Sequence, residues 1–182
     1  MSVEVIPGGH RRIDRVLAPG YAAEAAALDL VELRARREEA EAEEADISYL
    51  RRLLQGRLDI LRAELARRSR GGERDVAGLL AGLPAILSDE DPGTFNAVPR
   101  VLVPSRADQH RRRVERLVSD ETVARLPELD ADELARAVDV LAGEEAIVSA
   151  SRRAVQQVVD VLRSELARRY RDGTAQVSQL LE

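Results

Sequence analysis

Residues 44–59 read EADISYLRRLLQGRLD and residues 145–160 read EAIVSASRRAVQQVVD, so one spaced set of polar residues is written twice, 101 positions apart. Laid side by side, 44–72 and 145–173 share 16 of 29 positions, which makes them two copies of one unit. The period inside each copy is helical. Ile47, Leu50, Leu54, Leu58, Leu61 and Leu65 recur at steps of three and four, and Val148, Val155, Val159, Leu162 and Leu166 keep the same phase. Steps of that size return to one face of a 3.6-residue helix, so each copy carries one apolar stripe.

Outward from the stripe, the first long helix is assigned to residues 22–70, starting near Ala22 to Leu28, and the second to residues 131–171. The second begins after Asp130, which has the spacing of a capping box with Glu133. Gly71-Gly72 and Asp172-Gly173 supply the stops. Helices of about 40 residues are roughly 60 Å long, too long to fold into a compact globule of 182 residues. The fold class is therefore all-α, a long antiparallel coiled-coil helical hairpin with short connecting helices. Residues 1–21, with Pro7-Gly8-Gly9 and Pro19-Gly20, read as a flexible N-terminal arm in which HRRIDRVL can become a short helix on a partner. Residues 71–130 read as a connecting region with short helices and residues 172–182 as a C-terminal tail.

Composition excludes several functions. There is no cysteine, hence no disulfide framework, Cys-ligated zinc or thiol nucleophile, and a reducing compartment suits the chain. His10 and His110 are not spaced with carboxylates as a metal site requires, and no G-x-S-x-G, P-loop or dinucleotide fingerprint occurs. An enzyme is not expected, nor a metal. The start MSVEVIPGGHRRIDR has no apolar signal core and no run of 18 apolar residues exists, so a cytoplasmic protein without a membrane span is expected. A net charge of −5 with one basic turn, HRRRVERLVS, argues against direct DNA binding and fits a basic protein partner. All 28 basic side chains are Arg. Planar, bidentate guanidinium suits phosphate and guanine edges, although a GC-rich genome would produce the same bias.

The repeated polar residues are Glu44, Ser48, Arg51, Gln55 and Asp59, and again Glu145, Ser149, Arg152, Gln156 and Asp160. On a helix each set forms a band about 80° wide and roughly 22 Å long beside the apolar stripe. Arg can donate twice to the O6/N7 edge of guanine, and a carboxylate can accept from guanine N1–H and N2–H₂. Ser and Gln can serve phosphate, ribose or base edges. Antiparallel pairing relates the copies by an approximate two-fold, which fits a symmetric ligand. Duplication alone would also carry surface residues along, and LRAELARR and LRSELARR downstream are equally alike. A scaffolding antiparallel coiled coil that binds a protein partner without nucleotide therefore stands beside the ligand-site reading.

The pattern E-x3-S-x2-R-x3-Q-x3-D, once on each helix of an antiparallel pair, resembles the signature of the RsiG family of actinobacterial anti-sigma factors. Both copies match at all five positions, and the resemblance covers both long helices. It implies a regulator of transcription in sporulation that holds two cyclic di-GMP molecules through the ten motif residues. When loaded it would sequester a WhiG-like sigma factor of the flagellar type from RNA polymerase. Arg51, Arg152, Asp59 and Asp160 are then the expected guanine readers. Glu44 and Glu145 would be repelled by phosphate and are expected at a base or ribose, directly or through water.

Overall fold

The computed structural model describes residues 9–72, 78 and 125–173, and every regular element among them is an α-helix. These are α1 (Arg12–Val16), α2 (Pro19–Ala23), α3 (Leu30–Ser69) and α4 (Ala131–Arg171). The all-α class read from the sequence is the observed one. The short connecting helices expected in 71–130 fall almost wholly outside the described residues.

Local chemistry sets the helix boundaries. The α4 start is the capping box read from the sequence: Glu133 N–H donates to Asp130 Oδ1 (2.7 Å) and Asp130 N–H donates to Glu133 Oε2 (2.9 Å). The α3 start lies later than the alanine-rich run 22–28 indicated. Pro19 opens the separate helix α2, turns follow it, and Asp29 caps α3 by accepting from Glu32 N–H at 2.7 Å. At the other end Gly71 has φ 87°, a left-handed conformation that a Cβ would strain. There Gly72 N–H bonds to Arg67 O and Gly71 N–H to Arg68 O, both at 3.0 Å, a Schellman stop. In the second copy the left-handed residue is Gly173 (φ 69°), and α4 runs to Arg171.

The chain divides into two compact units, Met1–Ser48 with Ser149–Glu182, and Tyr49–Val148. In the first, Leu33, Ala40 and Ile47 of α3 and Val155, Val159, Leu162 and Leu166 of α4 are buried. Arg34 bonds to Tyr170, Glu41 to Arg163 and Ser48 to Arg152, so numbers rise on α3 as they fall on α4 and the pairing is antiparallel. In the second, Leu54, Leu58 and Leu61 of α3 and Leu134, Leu141 and Val148 of α4 are buried. Bonds from Gln55 to Glu145 and from Arg68 to Leu129 again run antiparallel. The buried series 33, 40, 47, 54, 61 and 134, 141, 148, 155, 162 have steps of seven, the repeat of a coiled-coil seam.

Residues placed in a flexible arm on sequence grounds are partly helical and packed. Ile13 and Val16 of α1 are 3% and 0% exposed, and burying two such side chains contributes roughly 1.5–3 kcal/mol each. Arg12 Nε donates to Glu43 Oε2 at 2.5 Å and its Nη2 to Asp46, while Arg15 pairs with Glu39. Glu43 is buried, and burial raises its pKa even though Arg12 pulls the other way. The Tyr21 hydroxyl of α2 donates to Glu39 Oε2 (2.8 Å), and the Arg36 guanidinium lies 5.3 Å over its ring. Burial would raise the pKa of Glu39, but bonds from Arg15 and Tyr21 outweigh it and hold the carboxyl below its usual value.

Candidate functional site

Each motif residue sits on a long helix, and the two units hold them separately. The first unit contains Glu44, Ser48, Ser149, Arg152, Gln156 and Asp160; the second contains Arg51, Gln55, Asp59 and Glu145. In the first, Arg152 Nε donates to Glu44 Oε1 (3.0 Å) and Ser48 Oγ (2.8 Å), and Ser48 Oγ donates to Glu44 Oε1 (2.7 Å). The glutamate and serine of one copy thus grip the arginine of the other. The contact is half-buried, with the Arg152 side chain 30% exposed and Glu44 27%. Gln156 and Asp160 are exposed further along α4.

In the second unit Gln55 Nε2 donates to Glu145 Oε1 at 3.2 Å, again one copy to the other. Asp59 is exposed and Arg51 half-buried. Arg51 Nε is buried and has no hydrogen-bond partner among the described residues. A buried guanidinium N–H left unmatched costs on the order of 1–3 kcal/mol, and native structures keep such groups rare. Arg51 Nε thus lacks an acceptor among the described residues.

The arrangement suits bidentate recognition. With Nε engaged by Glu44 and Ser48, the plane of the Arg152 guanidinium is fixed and its two Nη groups remain available to a planar acceptor edge. Asp160, one helical turn beyond Gln156 and exposed, can accept from a donor edge. No group of three or more His, Asp or Glu that could hold a metal ion occurs among the described residues. None of the helices there is long and apolar enough to cross a membrane.

Sequence reasoning named the ten residues but not the contacts of Arg152 with Glu44 and Ser48, which depend on the register between helices. It missed Arg12, Glu39, Glu43 and Asp46 as a paired cluster, since nothing in the arm alone signals packing.

Fold and site define an all-α protein built on paired antiparallel helices, each bearing one copy of a polar signature. The chain belongs to the RsiG-like family, whose model matches residues 19–87 and 120–182 and so covers both copies. That family is one of anti-sigma factors rather than enzymes, so a sigma factor is the partner class. No curated protein matches the chain.

Proposed function

We propose that this anti-sigma factor binds cyclic di-GMP through Glu44, Ser48, Arg51, Gln55, Asp59, Glu145, Ser149, Arg152, Gln156 and Asp160, and holds a WhiG-like sigma factor away from RNA polymerase only when loaded. The observation that carries the reading is the grip of Glu44 and Ser48 on Arg152, which orients a guanidinium without using up its Nη donors. Arg152 and Arg51 address guanine O6/N7, Asp160 and Asp59 accept from guanine N1–H and N2–H₂, and Gln and Ser serve ribose or phosphate. Two copies of the signature take two nucleotides. Glu44, a carboxylate, is repelled by phosphate and meets a base or ribose edge while it orients Arg152.

A purely structural contact would also place Glu44 on Arg152, which keeps the nucleotide-free scaffold as the rival. Calorimetry with cyclic di-GMP, on the chain alone and with a flagellar-type sigma factor, separates the two. Heat of binding in at least one arm is expected, and its loss in Arg51→Ala plus Arg152→Ala with helicity retained. Undiminished binding in that variant removes the site; a sigma complex that forms equally well without nucleotide removes the gating.

A further inference from the structure

The repeated polar signature does not stop at its aspartate. Three residues further on each copy carries an arginine, Arg62 after Asp59 and Arg163 after Asp160. Each arginine lies 18 residues from the leading glutamate of its copy, Glu44 or Glu145. At about 100° per residue that offset is a whole number of turns, so both arginines return to the polar band. A helix rise of only about 4.5 Å separates each from its aspartate.

Duplication alone would carry this arginine along with the rest of LRAELARR and LRSELARR. The other arginines of that stretch, however, have acidic partners on their own helix. Arg67 and Arg68 donate to Glu64, and Arg168 and Arg169 donate to Glu165. Arg62 and Arg163 join neither cluster. Arg62 is exposed and takes part in no ion pair among the described residues. The Arg163 side chain is 58% exposed, and its one bond among the described residues runs from Nε to Glu41 Oε1 at 2.9 Å. Glu41 Oε1 also lies 3.7 Å from Arg37 Nε, so one carboxylate oxygen serves two guanidiniums. Arg163 thus repeats the arrangement of Arg152 on Glu44 in the same unit, with Nε anchored on the facing helix and the Nη donors left over.

Charge says what those donors are for. In each unit the signature supplies two carboxylates and one arginine, Glu44 and Asp160 with Arg152 in the first, Asp59 and Glu145 with Arg51 in the second. A cyclic dinucleotide adds two phosphodiester charges, so a pocket made of the signature alone would gather anions with too few cations. We infer that Arg163 in the first unit and Arg62 in the second bind the phosphates of the two nucleotides, which extends the signature to E-x3-S-x2-R-x3-Q-x3-D-x2-R. The assignment rests on the cyclic di-GMP reading above. The two copies are not equivalent, because the counterpart of Glu41 is Ala142. Arg163 is held before the ligand arrives, whereas Arg62 is ordered on binding, so the first unit's site is the better prepared for phosphate.

Calorimetry with cyclic di-GMP, on the full chain alone and with a flagellar-type sigma factor, tests this in Arg163→Ala, Arg62→Ala and Arg163→Lys. Arg163→Ala should weaken one site about tenfold or more, and Arg62→Ala the other by a smaller factor. In both, affinity should fall less steeply with added salt than in the parent, while the thermal midpoint without nucleotide barely moves. Arg163→Lys should regain most of the loss, since phosphate accepts a point charge. Arg152→Lys should not, because the guanine O6/N7 edge needs the planar fork. Parental affinity in both alanine variants, with binding still lost in Arg51→Ala plus Arg152→Ala, overturns the phosphate assignment and leaves the guanine site standing. An Arg163→Lys variant as weak as Arg163→Ala overturns it too, because a reader of a base edge behaves that way. No heat of binding from the parent in either arm removes the cyclic di-GMP reading and this assignment with it.

Discussion

Arg51 and Arg152 are the same residue of a duplicated unit, yet their surroundings differ. Arg152 Nε has Glu44 and Ser48, whereas Arg51 Nε is buried without a partner among the described residues. Replacement by leucine should therefore separate them. Arg51→Leu is expected to leave stability unchanged or to raise it by up to about 1 kcal/mol, because an unmatched buried donor disappears. Arg152→Leu breaks a half-exposed pair and should lower stability by about 0.2–1 kcal/mol. Both should abolish cyclic di-GMP binding. Urea titrations without nucleotide, paired with calorimetry, test this. If both variants were destabilised alike, Arg51 would have a structural partner and its availability for ligand would be disproved. A complementary change is Glu44→Ala, which removes the acceptor that orients Arg152. Binding should weaken about tenfold or more while the thermal midpoint barely moves, since 1.4 kcal/mol in ligand contact is a tenfold change in affinity. The sequence made the ten motif residues visible because their spacing is fixed along one chain. It could not show which residue holds which, because contacts across a seam depend on the stagger of two helices.

At the level of elements, the caps are the features most directly encoded. Asp130→Ala takes one bond of the capping box from the start of α4 and should destabilise by about 1 kcal/mol, and Asp29→Ala should act similarly on α3. Chemical denaturation of the two variants measures this; no loss in either would mean that water replaces the cap without penalty. Asp130 was legible because Glu133 completes a known spacing, and Asp29 with Glu32 has the same spacing. The start of α3 was nonetheless placed too early, because Ala22–Ala27 has high helix propensity and Pro19 diverts the chain into α2 first. Coiled-coil periodicity was legible for a simpler reason: the steps of seven from Leu33 to Leu61 need no tertiary information. The packing of α1 was not legible from the arm itself. Its stretch RRIDRVL is charged, short and followed by Pro-Gly, the composition of a loose terminus. Its acids lie more than twenty residues away on α3.

Across the whole molecule, arginine–carboxylate pairing ties stability to pH in a definite direction. Hydrogen bonds from Arg168 and Arg169 bring Glu165 down from 4.5 to about 2. Glu64 is also held low: burial opposes it, but the bonds from Arg67 and Arg68 outweigh burial. A carboxyl whose folded pKa lies below its unfolded value binds its proton less readily when folded, so its contribution is present above about 4.5 and is lost as pH falls toward 2. Glu39 acts in the same sense. Glu43 acts in the opposite one: its folded pKa is raised, so its contribution is present at low pH and lost as pH rises through that value. Three groups against one make acid destabilising, and protonating the carboxylates leaves 28 arginines to repel one another. The thermal midpoint, followed by circular dichroism, should therefore be highest above pH 5 and fall steeply between about 4.5 and 2. Glu64 offers the sharpest check, because its side chain is only 2% exposed and takes bonds from two arginines. Glu64→Gln should destabilise by about 1–3 kcal/mol at neutral pH, where it replaces the ionised acceptor. As pH falls through its lowered pKa the native glutamate takes up its own proton, so the variant's deficit should shrink at strongly acidic pH. A deficit of equal size at both pH values would mean that packing around residue 64, and not its charge, accounts for the loss.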